Sequence, residues 1–163
     1  MFDQSAENPS AAKQMAQGGI IAVLYVILTF VFAPISFGAV QVRIAEALTI
    51  LPLFTPAAVP GLFIGCLLAN IFGGCIIWDV IFGSIATLIG AVLGRMLRSN
   101  RWLVPIPAVV SNAVIVPLVL YYGYGVNIPI PLLVLYIAIG EIAGCYVLGE
   151  LLAEVIIRRK GMF

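Results

Sequence analysis

The chain has 163 residues, 63% of them hydrophobic and only 9% charged, with a mean hydropathy of +1.19. A soluble domain carries about a quarter charged residues, so this composition belongs in a bilayer. At about 20 apolar residues per spanning helix, the length admits at most about six short spans in one bundle and no second domain. A net charge of +1 gives no basic stripe for nucleic acid, and the absence of histidine removes imidazole bases, Ser-His or Cys-His nucleophile pairs and histidine-dependent zinc sites.

Residues 1–14 are polar, contain Pro9 and lack the order of a removable signal peptide, which predicts a short cytoplasmic tail. From Met15 an apolar run reaches Pro34 and the loop-like SFG, predicting a first helix. Prolines at 52, 56 and 60 break the next apolar stretch, which divides into a short second helix over about 42–53 and a third over about 57–72. A fourth helix over about 76–97 runs into RSNRW, a fifth covers about 103–122, and the turn-rich GYGVNIPIP leads to a sixth over about 132–157. The expected organisation is a tail at 1–14, a single all-α six-helix transmembrane domain at 15–157 and a basic tail at 158–163.

Charge orients the bundle, because cytoplasmic loops hold the excess of Lys and Arg. Lys13 precedes the first helix, Arg95, Arg98 and Arg101 surround the loop between the fourth and fifth, and Arg158, Arg159 and Lys160 follow the sixth. An even helix count puts all of these on one side, with both termini cytoplasmic and Arg43 on the outer side. A five- or seven-helix division would scatter them.

An ionisable side chain inside a membrane costs several kcal/mol unless it faces a cavity or a partner. Arg43 and Glu46 are three apart and share a face of the second helix; they either meet a solute or neutralise each other. Asn70, Trp78 and Asp79 fall toward the outer ends of the third and fourth helices, and Asn112 and Glu141 at mid-depth in the fifth and sixth. Asp79 has the alternative of capping its helix, and the asparagines that of bonding between helices. Glu141 has no sequence-local cation, whereas Glu154 pairs naturally with Arg158 one turn on.

Cys66, Cys75 and Cys145 lie in apolar runs without a CxxC pair and read as small hydrophobes. Neither Lys13 nor Lys160 closes a Walker A loop, so transport driven by ATP would need a partner to hydrolyse it. Small residues one turn apart recur along the helices and favour close packing. Those at the cytoplasmic start of the first helix, Ala12, Ala16, Gly18 and Ala22, are the expected surface for a partner protein.

The stretches LYVILTFVFAPISFGAVQVRIAEALTILPLFTPAAVPGLFIGCLLANIFGG, WDVIFGSIATLIGAVLG and YIAIGEIAGCYVLGELL resemble the QueT family, the substrate-binding S components of energy-coupling factor (ECF) transporters for queuosine precursors. The resemblance covers about residues 20–155 and is carried by FAPISFG, VRIAEALT and PGLFIGCLLAN together. It implies a six-helix S component in the bacterial cytoplasmic membrane that captures a 7-deazaguanine from outside, partnered by a transmembrane T component and two ATPase subunits, with no enzymatic activity, metal or cofactor of its own. It also implies that the loop after the first helix helps cover the site and that small residues on the first helix meet the T component.

The residues fit such a solute. A deazaguanine presents adjacent N–H and NH2 donors that a carboxylate accepts in a bidentate manner, and its carbonyl takes a donor. Glu141 or Glu46 is expected on the donor edge, Asn112, Asn70 or Arg43 on the carbonyl, and Trp78 or Phe37 stacked on the ring. An aminomethyl cation on the solute would call on Glu46 or Asp79. Rival readings are an S component for a vitamin or another flat heterocycle, a membrane assembly subunit, a self-powered carrier, for which an inverted repeat is lacking, and an intramembrane enzyme, for which a catalytic pair is lacking.

Overall fold

The computed structural model describes residues 10–36 and 43–160, and every regular element among them is helical. In chain order these are α1 (Ala11–Val31), the single turn α2 (Ala33–Ser36), a 3-10 helix (Ile44–Leu53), α3 (Ala58–Phe72) and α4 (Ile77–Met96). A 3-10 turn (Arg101–Leu103) then leads into α5 (Ile106–Leu118), which closes in a π turn (Val119–Gly123). Finally α6 (Ile130–Glu141), a π stretch (Ile142–Leu148) and α7 (Gly149–Lys160) follow without a break.

Four of the described rods are long and apolar enough to cross a membrane: Ala11–Val31, Ile77–Met96, Arg101–Gly123 and Ile130–Arg159. The chain is an all-α, multi-span membrane protein. The expected second and third helices are present, but the 3-10 helix and α3 are shorter than a span. Prolines explain their length, since Pro52 lies in the last turn of the 3-10 helix and Pro56 in the link to α3. The first helix starts at Ala11 rather than near Met15, because the Ser10 hydroxyl caps it by accepting from the Lys13 N–H at 3.4 Å.

Hydrogen bonds and ion pairs fix which ends meet. At one end the Thr55 hydroxyl donates to Gln17, Arg95 donates to the Pro52 carbonyl at 2.7 Å, and Arg101 pairs with Glu150 at 3.2 Å and Glu154 at 3.1 Å. The start of α1, the α4–α5 link and α7 therefore gather on the basic side. Glu154 also pairs with Arg158 at 2.9 Å, as their spacing predicts. At the opposite end lie Ser36, Arg43, the α3–α4 turn and Tyr124.

Two helix contacts are drawn tight by missing side chains. A Cβ on Gly61 would sit 2.7 Å from the Gly18 carbonyl, and one on Gly65 would sit 2.7 Å from the Tyr25 Cβ, so α1 and α3 touch nearly backbone to backbone. On α4, a Cβ on Gly90 would come within 2.6 Å of Ala108 on α5. These contacts correct the partner surface expected on the first helix: Gly18 and Ala22 are buried against α3, while Ala12 and Ala16 remain exposed. A spacing of four marks a smooth face without saying which neighbour takes it.

The 3-10 helix is the column at the centre, packed by α1, α3, α4, the π stretch and α7. Ala45, Glu46, Thr49 and Ile50 are at most 1% exposed. Ten residues in 3-10 form reach about 20 Å, against about 15 Å as an α-helix, so a short segment reaches further across the bundle. Outside, Ile20, Val23 and Ile27 of α1 and Val110 and Val114 of α5 present an apolar surface suited to lipid. Trp102 at the basic end and Trp78 at the other match interfacial aromatic belts.

Candidate functional site

The central column and the sixth rod meet at two carboxylates. Glu46 sits in the first turn of the 3-10 helix and is 1% exposed; Glu141 is the last residue of α6, immediately before the π stretch, and is 8% exposed. Gly144 allows this meeting, because a Cβ there would lie 2.8 Å from the Arg43 carbonyl and 3.6 Å from the Glu46 Cβ. Glu46 thus rides on an overwound helix, and Glu141 on the last turn of an α-helix where it passes into an underwound one. π-turns are frequent at functional sites.

Their partners are mostly neutral. The Tyr25 hydroxyl of α1 donates a short hydrogen bond to Glu46 Oε1, and the Thr49 hydroxyl donates to the Glu46 backbone carbonyl at 2.6 Å. Asn112 Nδ2 of α5 donates to Glu141 Oε2 at 3.1 Å, and the Cys145 thiol donates to the same oxygen at 2.9 Å while lying 3.9 Å from Glu46 Oε2. Two donors converge on Glu141 Oε2, which leaves Oε1 without a donor among the described residues. Arg43, at the head of the 3-10 helix, donates from Nε to the Ser36 carbonyl at 3.4 Å, and its charge acts on Glu46 and Asp79.

A second polar group sits toward the non-basic end, built by the turn between α3 and α4. Gly74 takes a φ of 71°, the Gly74 N–H bonds the Ile71 carbonyl and the Cys75 N–H bonds the Asn70 carbonyl at 3.0 Å, a Schellman closure of α3. That closure starts α4 at once and sets Asn70 beside Asp79, so that Asn70 Nδ2 donates to the Asp79 carbonyl at 3.3 Å. Asp79 does not cap its helix; its Oδ2 accepts from the Tyr124 hydroxyl at 3.0 Å. Burial, and then the Asp79 charge, hold the Tyr124 phenol well above its ordinary pKa, which keeps it a donor.

Of the residues expected at the site, Arg43, Glu46, Asn70, Asp79, Asn112 and Glu141 are all buried inside the bundle. Trp78 is apart from them: it is 55% exposed, stacks on Phe82 and lines an apolar groove of about 700 Å³ between α4 and α5 with Tyr122. Phe37 lies outside the described residues. Tyr25, Tyr124 and Cys145 were not expected. A tyrosine in the middle of a span rather than at its edge is the signal for Tyr25, since a buried hydroxyl needs a partner. Cys145 is one turn beyond Glu141, which its reading as a small hydrophobe passed over.

Glu46, Glu141 and Cys145 offer two carboxylate oxygens and a sulfur within 4.8 Å of one another, the grouping among the described residues that could hold a metal ion. Its thiol is already engaged by Glu141. The more general chemistry of the cluster is acceptance, because carboxylate oxygens outnumber the charged donors facing them. Such a site suits a solute rich in N–H groups.

The family model of the QueT transporter matches residues 15–158. The queuosine precursor transporter QueT of Lactococcus lactis subsp. cremoris (strain MG1363) is 37% identical over 81 residues, covering 48% of this chain and 47% of that protein, so the match spans about half of the relative's length. No solved structure matches the chain. Because the family match takes in nearly all of the helical bundle, the chain belongs to the QueT transporter family.

Proposed function

We propose that the protein is the membrane-embedded substrate-binding component of an ECF-type importer, capturing a 7-deazaguanine queuosine precursor from outside. The observation that carries this reading is the buried pair Glu46 and Glu141, with Glu141 Oε1 open to a further donor. A carboxylate oxygen in that position accepts from the N–H donor edge of a deazaguanine as a charge-assisted hydrogen bond. Asn112 and Arg43 are the donors at hand for its carbonyl. The two short helices count as spans in this reading, giving six passes with the tails at 1–14 and 158–163 cytoplasmic in a bacterial inner membrane. The basic end supports that orientation.

The partners are a transmembrane T component and two ATPase subunits, met through the exposed Ala12 and Ala16. Ala16→Trp is expected to abolish co-purification of the partners and leave solute binding intact, whereas Ala22→Trp collides with α3 and lowers thermal stability. If Ala16→Trp still assembles, the contact lies elsewhere. The primary test is isothermal titration of the purified protein with queuine, its aminomethyl and cyano precursors, guanine and a panel of vitamins. Binding of a deazaguanine with guanine rejected supports the proposal; binding of a vitamin replaces the solute and keeps the architecture; binding of none sinks it in favour of an assembly subunit.

A further inference from the structure

Asn70 is fully buried and Asp79 is 3% exposed, yet among the described residues Asn70 Oδ1 and Asp79 Oδ1 receive no hydrogen bond. Leaving a buried acceptor unpartnered costs about 1–3 kcal/mol, and more for a charged one. Neither group is adrift. Asn70 Nδ2 is tied to the Asp79 carbonyl, and Asp79 Oδ2 to the Tyr124 hydroxyl, so both side chains are fixed with one oxygen unspent. Gly83, one turn beyond Asp79, keeps the neighbouring space clear: a Cβ there would lie 3.0 Å from Asp79 Oδ1 and 3.2 Å from Asn70 Nδ2.

This pair differs from the central one. Glu46 receives the Tyr25 hydroxyl on one oxygen and the Cys145 thiol near the other, and so has less capacity left. Arg43 is the buried basic side chain among the described residues, set against the buried carboxylates Glu46, Asp79 and Glu141, while the fourth, Glu150, meets Arg101 at the basic end. The interior is therefore short of positive charge. The two pairs are also linked, because Asn70 Nδ2 lies 3.7 Å from the Cys66 sulfur one turn back on α3, about 6 Å along the axis, and Cys66 borders Tyr25 and Glu46.

We infer that Asp79 Oδ1 and Asn70 Oδ1 form a second subsite that receives an ammonium substituent of the solute, while Glu141 reads the ring edge. The inference rests on the binding function proposed above and assigns the cationic end of the solute to Asp79 rather than to Glu46. It makes discrimination between charged and neutral 7-substituents a property of the α3–α4 turn. An inorganic cation would satisfy the same two oxygens, and the experiment separates the two sources.

The test is titration of the full chain with 7-aminomethyl-7-deazaguanine and with its 7-cyano counterpart, each in sodium chloride and in N-methylglucamine chloride. The wild type is expected to prefer the aminomethyl ligand by roughly tenfold or more, as a charge-assisted contact gives. Asp79→Asn, which preserves shape, should erase that preference, and Gly83→Ala, which fills the space without removing a polar group, should erase it while leaving cyano binding within about threefold. Glu141→Gln should weaken both ligands. If Glu141→Gln does so but Asp79→Asn and Gly83→Ala leave the preference intact, the subsite is wrong and the binding function stands. Cyano binding that needs sodium, with no preference between ligands, gives the two oxygens to an inorganic cation and overturns the inference. A wild type that binds neither ligand removes the binding function itself, and the subsite with it.

Discussion

Two pairs of glutamates in the bundle have opposite surroundings. Glu150 and Glu154, on α7, meet Arg101 at 3.2 and 3.1 Å, and Glu154 also meets Arg158 at 2.9 Å. Glu46 and Glu141, in the middle of the bundle, meet a tyrosine, an asparagine and a thiol. The first pair sits at the basic end, and each charge is answered locally by an arginine on a link or a neighbouring turn. The second has been brought into the hydrocarbon depth and answered mostly by neutral donors, an arrangement that leaves acceptance capacity for something else. Partner chemistry, not the presence of a carboxylate, separates a brace from a binding group.

The sharpest way to break that contrast is Glu141→Gln. The change keeps shape but turns an acceptor oxygen into a donor, so the expected loss of solute affinity is about 1.5–3 kcal/mol, read by isothermal titration. Thermal unfolding of the variant in detergent should stay close to wild type. Unchanged affinity would make Glu141 a brace like Glu150.

Gly144→Ala acts on the geometry instead of the charge. Its methyl would enter a space 2.8 Å from the Arg43 carbonyl and force the π stretch off the 3-10 helix. Overpacking of this kind costs about 1–3 kcal/mol, so a lower unfolding midpoint and weaker binding should appear together. A variant that loses stability but binds normally would show that the separation of the two segments does not set the site.

Tyr25→Phe removes the donor to Glu46 and should cost about 1–3 kcal/mol of stability by leaving a buried carboxylate oxygen short of a partner. In combination with Glu46→Gln the loss should be strongly non-additive, with a coupling of about 0.5–3 kcal/mol for groups in direct contact. Additive losses, measured by the same unfolding midpoints, would mean that the two side chains act independently.

Much of this was legible in the chain, for reasons that differ by element. The four long rods follow from apolar runs bounded by Pro34, RSNRW and GYGVNIPIP, and the clustering of arginines at one end follows from their placement around even-numbered links. Polar residues in apolar runs pointed to Glu46, Asn70, Asp79, Asn112 and Glu141, all of which are buried. The 3-10 and π forms were not legible, because the choice of hydrogen-bond register over Ile44–Leu53 and Ile142–Leu148 depends on what packs around them. Nor was the division of the first helix, since Gly18 and Ala22 differ from Ala12 and Ala16 only in facing Gly61 and Gly65. Tyr124 was invisible for a related reason: its partner is Asp79, 45 positions away, across a turn whose closure depends on Gly74.

The smallest effect belongs to the other half of the comparison. Arg158→Gln deletes the pairing with Glu154, where the arginine side chain is 78% exposed and the glutamate 40%. Pairs this near water contribute no more than about 1 kcal/mol, and high salt screens what they do contribute. The unfolding midpoint should therefore fall slightly in low salt and match wild type in high salt. Solute affinity should not move, because the pair lies at the basic end, away from Glu46 and Glu141. A loss of binding in Arg158→Gln would show that the basic end and the central carboxylates share one conformational equilibrium, transmitted along the continuous rod from α7 through the π stretch to Glu141, and the division between brace and binding group would have to be redrawn around that rod.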